Sequence, residues 1–435
     1  MNPHPQPDRS GHRPLAVVTA LTAACTGLLP LAAHATNGYF AHGYGAAALG
    51  AAGVGIALPQ DGLAAATNPA GTARVGERAD IGLTLFLPDR SARIDGNAFG
   101  ADAAYDGNGR KTFAIPEIGY VRGLGGSLVG GVAVYGNGGM NTDYAANPYA
   151  RFGASGSAGV NLEQLFVSPS LAWTPAPGQS VGLALNLAYQ RFSAKGIGFF
   201  GGFSSDPANV SDRGTDASTG VGLRLGWLGN LTPTLQGGLT WASKTDMGRF
   251  KKYAGLFADQ GDFDIPENYG AGLAWQAAPG WTLAADVQRI RYSAVGAVGN
   301  SLVPLLSGVP LGAAGGPGFG WRDMTVTKLA VQHTLSPTLT LRGGYSHGRQ
   351  PVPASETFFN ILAPGVVQDH WTAGFTLKPV GSHLEWTGYA ALVRGHTVAG
   401  QGSIPPGNPP GGFGGGEATV RLKETLLGLS VGWRY

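Results

Sequence analysis

The sequence has a single cysteine, Cys25, and few charges: 13% of residues are Asp, Glu, Lys or Arg, against 43% hydrophobic. One cysteine excludes an internal disulfide and any thiolate metal cluster. The nine histidines show no close metal-ligand spacing, so no zinc site is expected. A net charge of +3 offers nothing that a nucleic-acid backbone would demand. Beyond the first residues there is also no apolar run with the Leu, Ile and Val density of a membrane-spanning helix.

What is present is glycine, 73 residues of it, and alternation. From about Asp80 to Tyr435 apolar residues recur at every second position in short stretches. The last stretch is the clearest. Leu427, Leu429, Val431, Trp433 and Tyr435 alternate with Gly428, Ser430, Gly432 and Arg434. In water such a strand is an aggregation hazard; in a membrane it is one stave of a wall. Lipid leaves backbone groups no partners outside a helix or a closed sheet, so a membrane chain without spanning helices is a β-barrel.

Alternation and turn chemistry together predict an all-β fold of fourteen antiparallel strands. They span about 79–88, 113–122, 127–137, 164–173, 180–192, 218–228, 234–244, 266–276, 281–292, 323–334, 338–347, 367–377, 382–391 and 420–435. Short connections rich in Gly, Pro, Ser or Asn alternate with connections of about 20 residues or more, which assigns one barrel end to the periplasm and the other to the exterior. Trp173, Trp227, Trp275, Trp281 and Trp433 all fall beside short turns or the C-terminus, where an interfacial girdle belongs. The apolar parity, for example Val181, Leu183, Leu185, Leu187 and Tyr189, is assigned to lipid. The opposite parity carries Asn186, Arg224, Asp286, Lys328, Arg342, His370, Glu385 and Glu424 into the lumen.

Two segments precede the barrel. Arg9 and Arg13 lead an apolar run from Leu15 to Leu31, followed by Ala33-His34-Ala35, so residues 1–35 read as a secretory signal peptide that removes Cys25. Residues 36–77, rich in Ala and Gly and without alternation, read as a hatch of short helices and turns inside the barrel of residues 78–435.

At Asn37-Gly38-Tyr39-Phe40, at Asn68-Pro69-Ala70 and at Tyr135-Gly136-Asn137-Gly138-Gly139-Met140-Asn141 the chain resembles the FadL/TodX-type outer-membrane transporters of long-chain fatty acids and hydrocarbons. The resemblance implies a monomeric channel of the Gram-negative outer membrane that works passively, without cofactor or catalysis. It further implies capture of substrate among external loops, an inner pocket gated by the N-terminus, and a kink in the third strand that opens a path through the wall. On this reading Asn37, Gly38, Asn68, Pro69 and Ala70 belong to the hatch and gate, and Gly130 and Gly131 are candidates for the kink. The C-terminal strand resembles the signal read by outer-membrane assembly machinery.

The residues suggest a hydrophobic cargo on their own account. Ile197, Phe199, Phe200 and Phe203 crowd one long loop, and Tyr253, Leu256 and Phe257 the next, and loops in water gain from such side chains only by forming a groove or a packed lid. Tyr39 and Phe40 are candidates to touch the ligand. Arg224, Lys328 and Arg342 are candidates to neutralise a fatty-acid carboxylate, or alternatively to hold the hatch or pair across strands. A general diffusion porin and an outer-membrane lipid hydrolase using His370 or Ser430 are the rival readings. Gly428-Leu429-Ser430-Val431-Gly432 spells a nucleophile elbow, but in mid-strand, where the required sharp strand-to-helix turn is missing.

Overall fold

Fourteen antiparallel strands follow one another round a closed ring in the computed structural model, which describes residues 37–409 and 411–435. The expected signal peptide, with Cys25, lies outside the described residues. The strands are β1 (Arg78–Asp95), β2 (Phe113–Gly125), β3 (Leu128–Tyr144), β4 (Ala158–Ala176), β5 (Gln179–Lys195), β6 (Asp216–Asn230) and β7 (Leu235–Ala242). They continue as β8 (Asn268–Ala278), β9 (Trp281–Ile290), β10 (Met324–Ser336), β11 (Leu339–Gly348), β12 (Asp369–Leu377), β13 (Leu384–Val398) and β14 (Glu417–Arg434). Pairing of β1 with β14, from Arg78 with Arg434 to Asp95 with Glu417, closes the ring. Two short strands, Ala103–Asp106 and Asp246–Met247, add to β1 and β6 outside the ring.

Side chains obey the parity read from the sequence. Ile81, Leu83 and Leu85 of β1, the odd positions from Val181 to Tyr189 of β5, and Leu427, Leu429 and Trp433 of β14 are exposed on the outer surface. A large apolar surface of this kind is stable only against lipid. The inward parity is buried, including Asn186, Arg224, Asp286, Lys328, His370, Glu385 and Glu424. Trp173, Trp275, Trp281, Trp386 and Trp433 stand exposed near the short-turn end, while the half-buried Trp227 donates its indole N–H to Gln179 Oε1 at 3.0 Å.

Most strands outrun the predicted spans at the long-loop end. β1 continues to Asp95, β3 to Tyr144 and β13 to Val398. Above the membrane both faces of a strand are wet, so the contrast between parities fades, although the hydrogen-bonded ladder continues. Asp89 and Arg93 occupy outward positions in β1 that Ile81 to Leu85 fill lower down. The connection 145–157 is correspondingly shorter than expected.

Residues 37–77 lie within the ring as short pieces, α1 (Ala46–Leu49), α2 (Ala64–Thr67) and a 3-10 turn at Pro69–Arg74. Asp80 of β1 accepts from the Gly62 N–H (2.8 Å), Asp286 of β9 from Gly55 and Ile56 (2.8 and 3.0 Å), and Thr372 of β12 from Ala52 (2.8 Å). Inward-facing glycines let this backbone approach the wall. A side chain at Gly182 would strike Pro69 and Ala70, and one at Gly226 would strike Asn68. Asn68 itself donates to the carbonyls of Ile56 (2.8 Å) and Trp227 (3.0 Å) and accepts from Ala70 N (3.1 Å), stitching the Asn68-Pro69-Ala70 turn to β6.

Candidate functional site

The external loops enclose an apolar chamber. Phe200, Leu256 and Phe257, all expected as ligand contacts, line it together with Ile197. Phe199 and Phe203 do not. They belong to an aromatic layer, with ring centroids 6.0 Å from Phe152 to Phe199 and 5.2 Å from Phe203 to Phe413. That layer ties together the connections 145–157, 196–215, 349–368 and 399–416. The chamber's other walls were not anticipated: Val160 and Phe192 from the barrel rim, Leu311 and Phe319 from 291–323, and Phe359 and Leu362 from 349–368. Phe319 and Phe359 carry the signal that singled out Phe200, a large apolar residue in a long loop; Val160 and Phe192 carry none, being inward residues of strands. No charged side chain lines the chamber. Its free volume is ≈ 40 Å³, enough for water but below the ~150 Å³ of a cavity that accepts benzene. A ring enters only when chamber side chains shift, and Leu256, Phe319 and Phe359 are the half-buried ones among its large apolar walls.

Beneath it the first described residues form a clamp. Asn37 and Phe40 exchange backbone hydrogen bonds (3.1 and 3.3 Å) around Gly38, whose φ of 68° is costly for any residue with a Cβ. The Tyr292 hydroxyl donates to the Asn37 carbonyl and accepts from Tyr39 N (3.2 Å) and Phe40 N (3.3 Å). Tyr39 packs its ring on Tyr292 (5.2 Å), Trp321 (5.8 Å) and Phe263 (6.0 Å). Trp321 is in turn fixed by its indole N–H donating to Asn360 Oδ1 at 2.6 Å.

This clamp sits against a gap in the wall. β2 and β3 pair only from Ile118–Val134 down to Gly125–Leu128. Above that, Phe113–Glu117 pairs with β1 and not with β3, and the ladder from Tyr135 to Tyr144 runs to β4, its other edge bridged by Phe40 at Gly138 and by Asn108 at Asp143. The expected kink at Gly130 and Gly131 is absent. Both residues pair regularly with β2 and β4, and Gly131 gives room to Thr72 of the hatch. The irregularity lies further on, where the β3–β4 register shifts between Gly136 and Gly138 and leaves Asn137 as the extra residue of a bulge. There Ala41 N donates to the Asn137 carbonyl (2.8 Å) and Gly139 N to the Tyr39 carbonyl (2.9 Å), so the N-terminal segment occupies the free edge of β3. Asn137 also binds Tyr44 and Gln164 through its side chain (2.9 and 3.1 Å).

Arg224, Lys328 and Arg342, the lumenal cations singled out in the sequence, bond the hatch and the wall. Lys328 Nζ donates to the carbonyls of His42 (2.9 Å) and Gly53 (3.2 Å), and Arg224 to that of Thr67 (3.2 Å). Arg342 donates to Gln60 (2.6 Å), Gln332 (2.9 Å) and Thr376 (2.8 Å). None lines the loop chamber. Ser430 pairs in the ladder with Gly82 and Thr387, and His370 stacks on His42 at 4.3 Å.

A lipid-facing barrel with a filled lumen, an apolar chamber beneath its loops and an interrupted wall defines a stoppered outer-membrane channel. Residues 25–378 match the family described as "Outer membrane protein transport protein (OMPP1/FadL/TodX)", and the chain belongs to that family. It is a transport channel of the outer membrane and not an enzyme. The fold is similar to that of the P. putida toluene transporter TodX, at 16% identity and TM-score 0.64 over 91% of this chain and 99% of that one. It is similar also to a Pseudomonas aeruginosa FadL homologue, at 14% identity and TM-score 0.67 over 91% and 99%. A third likeness is to the Ralstonia pickettii toluene transporter TbuX, at 16% and 0.61 over the same shares. No curated protein sequence matches the chain.

Proposed function

We propose that the chain carries uncharged hydrophobic small molecules passively across the outer membrane, from the loop chamber, past the N-terminal clamp, to the interrupted β2–β3 seam. The observation that carries this reading is the wholly apolar lining of the chamber. Cargo leaving water gains about 25 cal/mol per Å² of apolar surface buried, which supports capture without any charge partner. A fatty-acid carboxylate would need a free cation there, and Arg224, Lys328 and Arg342 are held by hatch and wall instead. Monoaromatic or similar hydrocarbons fit better, in line with the toluene transporters that share the fold.

On this reading Tyr39 and Phe40 gate the route. Release of Tyr292 frees the segment from β3 and uncovers the seam, while the hatch stays anchored by Asn68, Asp286 and Lys328. Toluene binding to the purified protein tests the chamber. Phe257→Arg is expected to weaken it at least tenfold, because a cation in an apolar cavity costs several kcal/mol; unchanged binding would place the capture site elsewhere.

A further inference from the structure

One pair of buried charged groups lacks the partners that its neighbours have. Glu424 of β14 points into the lumen, 1% exposed, and among the described residues neither of its carboxylate oxygens has a hydrogen-bond partner. Arg90 of β1, 2% exposed, faces the same way. Its two terminal nitrogens are used: Nη1 donates to the backbone and side-chain oxygens of Asn141 (2.7 and 2.6 Å), and Nη2 to the Arg110 carbonyl. Its Nε–H has no partner. The two residues are diagonal neighbours on one face of the closing strand pair, since Glu424 lies opposite Pro88 and Arg90 opposite Leu422. Diagonal positions are ~7–8 Å apart, within reach of long side chains. Arg90 is the charged group that acts on Glu424.

The surroundings are apolar. Val393 stands opposite Glu424 on the other side, and Phe86, Leu422 and Leu426 are buried about the pair. Two unsatisfied polar groups so placed each cost the free energy of desolvation without return. A group with one donor and one acceptor satisfies both at once, accepting from Arg90 Nε–H and donating to a Glu424 oxygen.

We propose that Glu424 and Arg90 form the head-group seat for a hydroxylated hydrophobe, a phenol or an alcohol, within the channel's lumen. A hydrocarbon would leave both groups unsatisfied. Because Arg90 also holds Asn141 on the free edge of β3, the seat adjoins the seam through which cargo is read to leave. The proposal rests on the reading of the chain as a hydrophobe channel and narrows its substrate class.

The test compares two probes that differ by one hydroxyl, p-cresol and toluene, by equilibrium dialysis against the purified protein, corrected for partition into protein-free micelles. Wild type is expected to bind p-cresol about tenfold or more tightly than toluene, the worth of hydrogen bonds to charged groups. In Glu424→Leu, which removes the acceptor and leaves the Arg90 donor, the ratio falls several-fold, and in Glu424→Gln it narrows. Equal binding of the probes by wild type, or a ratio unchanged in either variant, overturns the seat. Should Glu424→Leu fail to fold, seen as loss of heat-modifiable mobility, the wild-type ratio and the Gln variant still decide. If neither probe binds, the channel reading fails and the seat with it, a result distinct from equal binding.

Discussion

Tyr292 shows how much rests on one atom. Its hydroxyl is bonded to three groups of the Asn37–Phe40 turn, and Phe40, edge-on, and Tyr39, tilted, pack against its ring. Tyr292→Phe keeps the ring and removes the bonds, which are worth about 0.5–1.5 kcal/mol each. The variant is expected to release pre-bound toluene several-fold faster, measured by dilution, with barrel folding unchanged; an identical release rate would remove the clamp from the gate. Tyr39 and Phe40 stand out in the sequence as an aromatic pair just after the expected leader. Tyr292 does not, since its role depends on meeting residues some 250 positions earlier. The same distance explains the cations: parity placed Arg224, Lys328 and Arg342 in the lumen, but nothing local says that the first two meet hatch carbonyls and that Arg342 meets Gln60, Gln332 and Thr376.

Among the elements, β3 bears the argument. Its two glycine pairs look alike in sequence, yet Gly130–Gly131 sits in a regular ladder while the bulge forms at Gly136–Gly138, where Asn137 finds Tyr44 and Gln164 inside. Glycine marks both a place that must pack closely and a place that must bend, so composition alone does not separate them. Any Cβ at Gly138 collides with the Tyr39 carbonyl. Gly138→Val is therefore expected to expel the N-terminal segment from the edge of β3, seen as protease cleavage near Phe40 at least tenfold faster than in wild type; equal rates would show that the segment is held elsewhere.

The connection 243–267 adds a pH dependence. Burial, reinforced by the Asp264 carboxylate, pushes Asp262 up to about 6, with Lys244 acting against the shift. An acid whose pKa rises on folding favours the folded loop while protonated, so loop stability falls as pH climbs from about 4 to about 6 and is level above. Hydrogen exchange in this loop is expected to be slower at pH 4.5 than at pH 7 once corrected for intrinsic rates. Asp262→Asn should abolish that difference, and a difference surviving in the variant would assign the effect to another group.

Across the whole molecule, the closed ring was the easiest feature to read, because lipid enforces it. An outward-facing polar residue or an unpaired strand is penalised everywhere along the wall, so all fourteen strands announce themselves by parity. The chamber announced itself only in part, through Phe200, Leu256 and Phe257, since its remaining walls come from loops and rims whose residues are individually ordinary. The channel reading and the porin reading share the barrel and differ in what fills it, and here hatch, clamp and aromatic layer all occupy the interior.

The most direct test is the initial rate of toluene uptake by intact Gram-negative cells, with and without this chain in their outer membrane. A saturable acceleration by the wild-type protein is predicted. Uptake no faster than in cells lacking the chain would contradict the account at its centre.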